Sequence, residues 1–353
     1  MSDPGRFAAQ ILETSAPGFA GLVAGLLLER HPEIAGRYGT DAFAGWKSQA
    51  QRWILDLSAA VDSGEPKLFH SRARWAREAF DARKVPVEDL RAALVALRDV
   101  LQERLPSAAV GATIPVVDGA LSSLADSTAE AASSAGRAAA AAAARPVLDY
   151  LEAILAGNPR EAIDRLLGSI EGGGSIRSAY LEVLMPAQRE VGRMWHAGEL
   201  SIAEEHLVTA TTQRAMSALC ERGQPATHNG KTVLLACVAG NVHDLGVRAI
   251  ADFFEMAGWR VINLGPDTPI DEIARSVQAF DADLVVLSAA LDPQIKPVRL
   301  AIERIRALGR PDVKIIVGGP AFQDVPDLWR KFGADGHAAR LEDVEPLGSQ
   351  LVR

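Results

Sequence analysis

Cysteine is nearly absent from this chain: its 353 residues hold two, Cys220 and Cys237. A disulfide framework is thereby excluded, and Cys237, inside an apolar run, reads as a small buried residue in a reducing, cytoplasmic setting. Aromatics are also sparse, at 5% of residues, and positive charge is in deficit: 37 Lys and Arg against 45 Asp and Glu give a net charge of -8. With a sequence pI near 5.5, that balance argues against direct nucleic-acid binding, and no basic recognition helix or zinc-finger spacing stands out. Long apolar runs are missing as well. The longest candidate, Ala138 to Ala144, is short, weakly apolar and flanked by Arg137 and Arg145, so no segment of about 18 apolar residues is expected to enter a membrane. Met1-Ser2-Asp3-Pro4 does not open a charged-then-apolar leader. What remains, 48% apolar and 23% charged, is ordinary for a globular protein with room for two or three domains.

The amino-terminal part reads as all helix. Apolar residues recur at three and four spacing in Phe7 to Leu28, Phe43 to Val61, Phe69 to Phe80 and Leu90 to Leu105, separated by His31-Pro32, Gly64-Glu65-Pro66 and Val85-Pro86. An alanine and serine-rich stretch, Ala120 to Ala144, follows, read either as the final helix of this domain or as a helical spacer. Pro146 to Arg222 gives four further helices, with Gly172-Gly173-Gly174 as a loop and Pro186 at a bend or helix start. From Lys231 strands alternate with amphipathic helices: Lys231 to Val238, Arg260 to Leu264, Asp283 to Leu287, Val313 to Val317 and Gly336 to Arg340. The expected fold is therefore α followed by α/β: a helical domain over 1-145, a four-helix cap over 146-222, and a flavodoxin-like, doubly wound, five-stranded parallel sheet over 231-353. A two-component receiver would need acidic residues after strand one and a lysine near strand five; those places hold Asn241 and His243, and His337 and Arg340.

His243 is the residue with most to say. It sits in Asn241-Val242-His243-Asp244-Leu245-Gly246, after the first strand and before a helix, where open α/β sheets bind ligands. Ser288-Ala289-Ala290-Leu291 follows the third strand and Gly318-Gly319-Pro320 the fourth. Small residues at these ends leave a slot between strands, and glycines let backbone N–H groups approach a phosphate. Together these sets resemble the cobalamin-binding domains that take the cofactor base-off and His-on. The resemblance implies His243 as lower cobalt ligand, with Ser288, Leu291, Gly246, Gly318 and Gly319 around the displaced nucleotide tail and Leu245 beside them. Many members carry a carboxylate where this chain has Asn241. An amide can accept from the imidazole without charge, so a softer lower ligand is expected, with Asp244 as a candidate substitute.

Upstream, Trp195 is followed after nine intervening residues by Glu205-His206. This spacing resembles the helical cap of the light-dependent, adenosylcobalamin-binding repressors of carotenoid synthesis. The resemblance implies Trp195 against the upper axial group, Glu205 and His206 shaping the adenosyl pocket, and His196 as an upper cobalt ligand after light. Those repressors carry a helix-turn-helix, which is not found in this sequence, so a different output is expected.

The pattern Phe7-Ala8-x-x-Ile11-Leu12-Glu13 with Leu27-x-x-Arg30-x-Pro32-x-Ile34 resembles the globin-like sensor domains of stress-signalling co-antagonists over roughly the first 105 residues. Joined to a cobalamin module, it resembles the photocobilins, which hold a bilin beside the cobalamin. A bilin such as biliverdin needs cations for its propionates, and His70, Arg72 and Arg74 offer such groups; their plain alternative is a solvated cationic face with Phe69, Ala73, Ala76 and Phe80 turned to the core. Haem is the competing tetrapyrrole, with His70 a better candidate than His31. The expectation is a switch and not an enzyme: an adenosylcobalamin photosensor with a bilin as second chromophore, signalling to a protein partner or through light-dependent homo-oligomer contacts. The alternative is a corrinoid carrier for methyl transfer, a methyltransferase subunit. An isomerase subunit, the third class, would need a separate substrate barrel.

Overall fold

The computed structural model describes residues 3–126, 145–223 and 226–352. The chain divides into two compact units. One holds Met1–Thr128 with two short segments from far along the chain, Leu291–Lys296 and Ala321–Val325; the other holds Ala129–Ala290, Pro297–Pro320 and Pro326–Arg353. The sequence reading had placed 231-353 wholly in the sheet domain. The two exceptions are loops that leave strands, which carry no periodicity to betray their packing.

The first unit is built from α1 (Pro4–Arg30), α2 (Pro32–Tyr38), α3 (Ala42–Ser63), α4 (Pro66–Ala82), α5 (Val87–Arg104) and α6 (Ser107–Asp126). Asp3 caps α1 by accepting from the Gly5 N–H at 3.0 Å, and Pro4 supplies the preset φ of a first helical position. Helix α1 lies along α3 and also meets α5 and α6. The core side expected of α4 is confirmed in Phe69, Ala73 and Ala76, all below 5% exposed. Helices α2 and α6 were not anticipated; α6 contains Pro115 and a Gly111, which read as breakers. The alanine-rich expectation over Ala120 to Ala144 lies mostly outside the described residues. Helices Pro4–Arg30 and Ser107–Leu124 are long and apolar enough to cross a membrane by composition, against the expectation of no such run. In this unit they contact each other, and α1 buries Leu12, Phe19, Val23 and Leu27 in the bundle core.

The second unit begins with four helical stretches: α7 (Arg145–Leu155), α8 (Pro159–Glu171), a π-helical segment Ala179–Leu184 running into α9 (Met185–Ala197), and α10 (Ile202–Cys220). The sheet follows: β1 (Thr232–Cys237), α11 (Leu245–Met256), β2 (Arg260–Asn263), α12 (Ile270–Ala279), β3 (Leu284–Ser288), α13 (Ile295–Arg306), β4 (Lys314–Gly318), α14 (Leu328–Phe332), β5 (Gly336–Ala338) and α15 (Leu341–Leu351). The five strands are parallel in the order β2-β1-β3-β4-β5. Strands β1, β3 and β4 are nearly continuous apolar runs because they lie inside the sheet with both faces covered, while β2 at the edge is partly exposed.

The helices before the sheet share one core with α11: Tyr150, Ile154, Leu166, Tyr180, Val208 and Leu219 cluster with Ala249 and Phe253. Tyr180 meets Phe253 edge-on at 5.6 Å between ring centroids, and the Arg177 guanidinium stacks 4.4 Å over the same ring. The Tyr180 hydroxyl donates to Asp252. Burial raises the Asp252 carboxyl above its ordinary range, and burial together with that carboxylate raises the Tyr180 phenol, so the proton between them stays on the phenol.

Candidate corrinoid site

In a 2-1-3-4-5 sheet the strand order reverses at β1, and the crevice beyond the carboxyl ends of β1 and β3 is where ligands sit. The register brings the expected residues to this edge in one row: Cys237 pairs with Ser288, Ser288 with Gly318, and Gly318 with Ala338. His243 leaves the end of β1 on the loop that opens α11, with its side chain exposed.

Asn241 holds that loop. It is fully buried; its amide nitrogen donates to the Ser288 carbonyl at 2.9 Å and its amide oxygen accepts from the His243 backbone N–H at 3.1 Å. The oxygen expected to support the imidazole ring here serves the backbone of the same residue. An amide, unlike a carboxylate, supplies both a donor and an acceptor, which this bridge between the β1 and β3 exits requires. Asp244, 7% exposed, binds Arg248 Nε at 2.6 Å, so its carboxylate faces along α11. The sequence reading missed Asp267, whose carboxylate accepts from the Gly240 N–H at 2.7 Å and whose backbone N–H donates to the Asn241 carbonyl at 2.9 Å. Its signal was the Gly265-Pro266-Asp267 turn, with Asp267 at φ +49°.

Gly319 adopts φ +103°, and a Cβ there would sit 2.2 Å from the Ala289 carbonyl oxygen. Glycine is therefore required for the exits of β3 and β4 to come together. At Gly246, in the first turn of α11, a Cβ would meet nothing within 4 Å, which leaves open space two residues from the Asp244 cap. An exposed imidazole, an open helix start and small residues at three strand ends suit the lower face and tail of a corrinoid.

On the helical side, Trp195 lies in the last turn of α9, 41% exposed, and Gly198 ends that helix in the left-handed region. Ser201 then caps α10 in a reciprocal box with Glu204, placing Glu205 and His206 in the first turn. Glu205 accepts from Thr209 Oγ1 at 2.8 Å and lies 3.6 Å from His206 Nε2. Behind it Gln188 donates to Thr212 at 2.8 Å, and Thr212 meets the Tyr150 hydroxyl at 3.2 Å. Ile202 and Leu207 are also exposed, at 64% and 38%, and His196 is half-buried.

Leu291, His70, Arg72 and Arg74 belong to the other unit. His70 Nε2 lies 3.1 Å from the Val116 carbonyl, Arg72 Nε 3.4 Å from Asp56, and Arg74 donates to Ser71 at 2.9 Å. These three side chains face different partners, and the structure does not gather them.

Residues 148–219 and 231–344 each match a family described as B12 binding domain. Dimethylamine corrinoid protein 1 of Methanosarcina acetivorans is 26% identical over 208 residues, 57% of this chain and 91% of that protein. The HTH-type transcriptional repressor CarH of Myxococcus xanthus is 29% identical over 143 residues, 40% of this chain and about half, 47%, of the repressor. The solved structure of the Methanosarcina barkeri monomethylamine corrinoid protein superposes with a TM-score of 0.51 at 18% identity, over 57% of this chain and 96% of that one, a likeness of fold. This chain is a cobalamin-binding protein built around a pair of B12-binding domains, one helical and one with a five-stranded parallel sheet.

Proposed function

We propose that the chain takes its corrinoid base-off, with His243 as the lower ligand, and serves as a corrinoid carrier in methyl transfer. The observation that carries the His-on part is the exposed imidazole at the strand-order reversal, on a loop that Asn241 ties to the Ser288 carbonyl. Cobalt in such a group supplies a site that accepts and gives up a methyl group. His243 contributes an imidazole nitrogen. Asn241 and Asp267 fix the loop beneath it, and Ser288, Gly318 and Gly319 leave room for the tail. A carrier must show its upper face to partner enzymes, and Trp195, Ile202, His206 and Leu207 are exposed. The dimethylamine corrinoid protein supports this reading, since the match spans nearly all of that relative.

The test loads the protein with methylcobalamin in the dark and compares wild type with His243→Ala. Wild type acquires a base-off, His-on absorption spectrum that the variant lacks, and it passes the methyl group to an added thiol faster than free methylcobalamin does. An unchanged spectrum in the variant overturns the lower-ligand role, and transfer no faster than the free cofactor overturns the carrier.

The spacing of Trp195 with Glu205-His206 and the similarity to the repressor favour a second reading, an adenosylcobalamin light sensor in which His196 takes the upper position after illumination, and a protein partner or homo-oligomer contacts carry the output. Its test is dark reconstitution with adenosylcobalamin followed by light. In that reading a globin-like first unit would hold a bilin, with His70, Arg72 and Arg74 as its candidate contacts.

A further inference from the structure

We propose that Asp56, Arg72 and Asp292 form a proton-operated latch that holds the segment leaving β3 in acid solution and slackens it as the pH rises to neutrality. All three lie in the first unit, on α3, on α4 and in the short turn Asp292–Gln294, which packs against α3.

The argument is one of charge count in a dry place. Asp56 is 6% exposed, and its nearest cation is Arg72, whose Nε stands 3.4 Å from Asp56 Oδ2 without making a hydrogen bond. Asp292 acts on the same guanidinium and on Asp56. Two carboxylates thus share one cation, which is also spread over the Trp75 ring at 4.9 Å. The remaining charged neighbours do not close the deficit. Arg52, on α3, is exposed and donates to Ser48 and Gln49; Asp324, in the segment 321–325, adds to the negative field at Asp292. Asp89 shows the contrast: it is 2% exposed but has Arg37 on both oxygens and the Tyr38 hydroxyl at 3.2 Å. A buried net negative charge is expensive, and binding a proton removes it. Burial accordingly pushes Asp56 up to about 7 and Asp292 up to about 6.

The far end of the same segment is held differently. Lys296 Nζ lies 2.6 Å from Glu13 Oε2, and Glu13 accepts from Ser58 at 3.0 Å. One end therefore rests on a one-to-one ion pair and the other on a group of odd charge. A carboxyl whose folded pKa is raised stabilises the closed segment below its unfolded value and loses that contribution as the pH climbs through about 6 to 7.

Hydrogen exchange of the amides in 291–296 tests the latch in the full chain without corrinoid, so its outcome is separate from that of the His243 experiments. After correction for intrinsic rates, protection is expected to fall about tenfold between about pH 5.5 and about pH 8 in the wild type. Asp56→Asn and Asp292→Asn should each flatten that dependence, and Glu13→Gln should lower protection at every pH while leaving its slope. Protection independent of pH in the wild type, or a wild-type slope in both asparagine variants, overturns the proposal. If one asparagine variant fails to fold, the other decides.

Discussion

Two buried polar groups, one in each unit, are disposed of in opposite ways. At the edge of the sheet, Asn241 is uncharged and fully buried, and both ends of its amide are spent, on Ser288 and on His243. In the helical unit, Asp56 is charged or protonated according to pH, Arg72 Nε has no hydrogen bond, and the indole nitrogens of Trp46 and Trp53 are buried without an acceptor. A satisfied neutral bridge fixes a loop at all pH values; an under-satisfied ionic group makes a structure that depends on its solvent.

The contrast can be attacked first where packing is greatest. Phe253→Ala empties the ring position against Tyr180 and Arg177 and should cost about 3–5 kcal/mol in denaturant unfolding, the largest effect expected here. Asn241→Ala takes the acceptor from the His243 N–H and leaves the Ser288 carbonyl with the Val238 N–H alone, and should cost about 1–3 kcal/mol with corrinoid uptake weakened in parallel; retention of uptake would show that the loop needs no bridge. Asn241→Asp should be worse than conservative despite its size, because a carboxylate cannot donate to Ser288, and equal stability would break the comparison. A smaller effect is expected from pH alone. Because the Asp56 and Asp292 pKa values are raised on folding, full-chain melting should occur at lower temperature at about pH 8 than at about pH 5.5, and Asp56→Asn should narrow that gap. Thr209→Val, which removes one hydrogen bond from Glu205, should change stability by less than about 1 kcal/mol in denaturant unfolding.

How much could be read from the residues follows the same division. The five strands, their order of use and the placement of His243, Ser288 and Gly318 were legible because a parallel strand is a short apolar run and a ligand edge lies at its end. Asn241 was legible as a site residue but not in its role, since a side chain's choice between ring and backbone depends on a loop conformation that no periodicity encodes. Helix α6 was hidden by Pro115, which α6 accommodates at an exposed position. The run from His70 to Arg77 looked like a cation cluster for a ligand. On a helix it radiates instead, sending Arg72 to Asp56 and His70 to Val116. Asp56 itself sits amid the apolar repeat of α3, and its partner Asp292 is more than 200 positions away, so no local pattern could pair them.

Helix α11 has a mechanical consequence. Its twelve residues span about 18 Å, with His243 just ahead of its first turn and Phe253 near its far end, locked among the helices that precede the sheet. One side of this rod, at Ala249 and Phe253, is set in the helical core, and another, at Val247, Ala251 and Phe254, in the core of the sheet, so position 243 hangs from a mast anchored along its whole length.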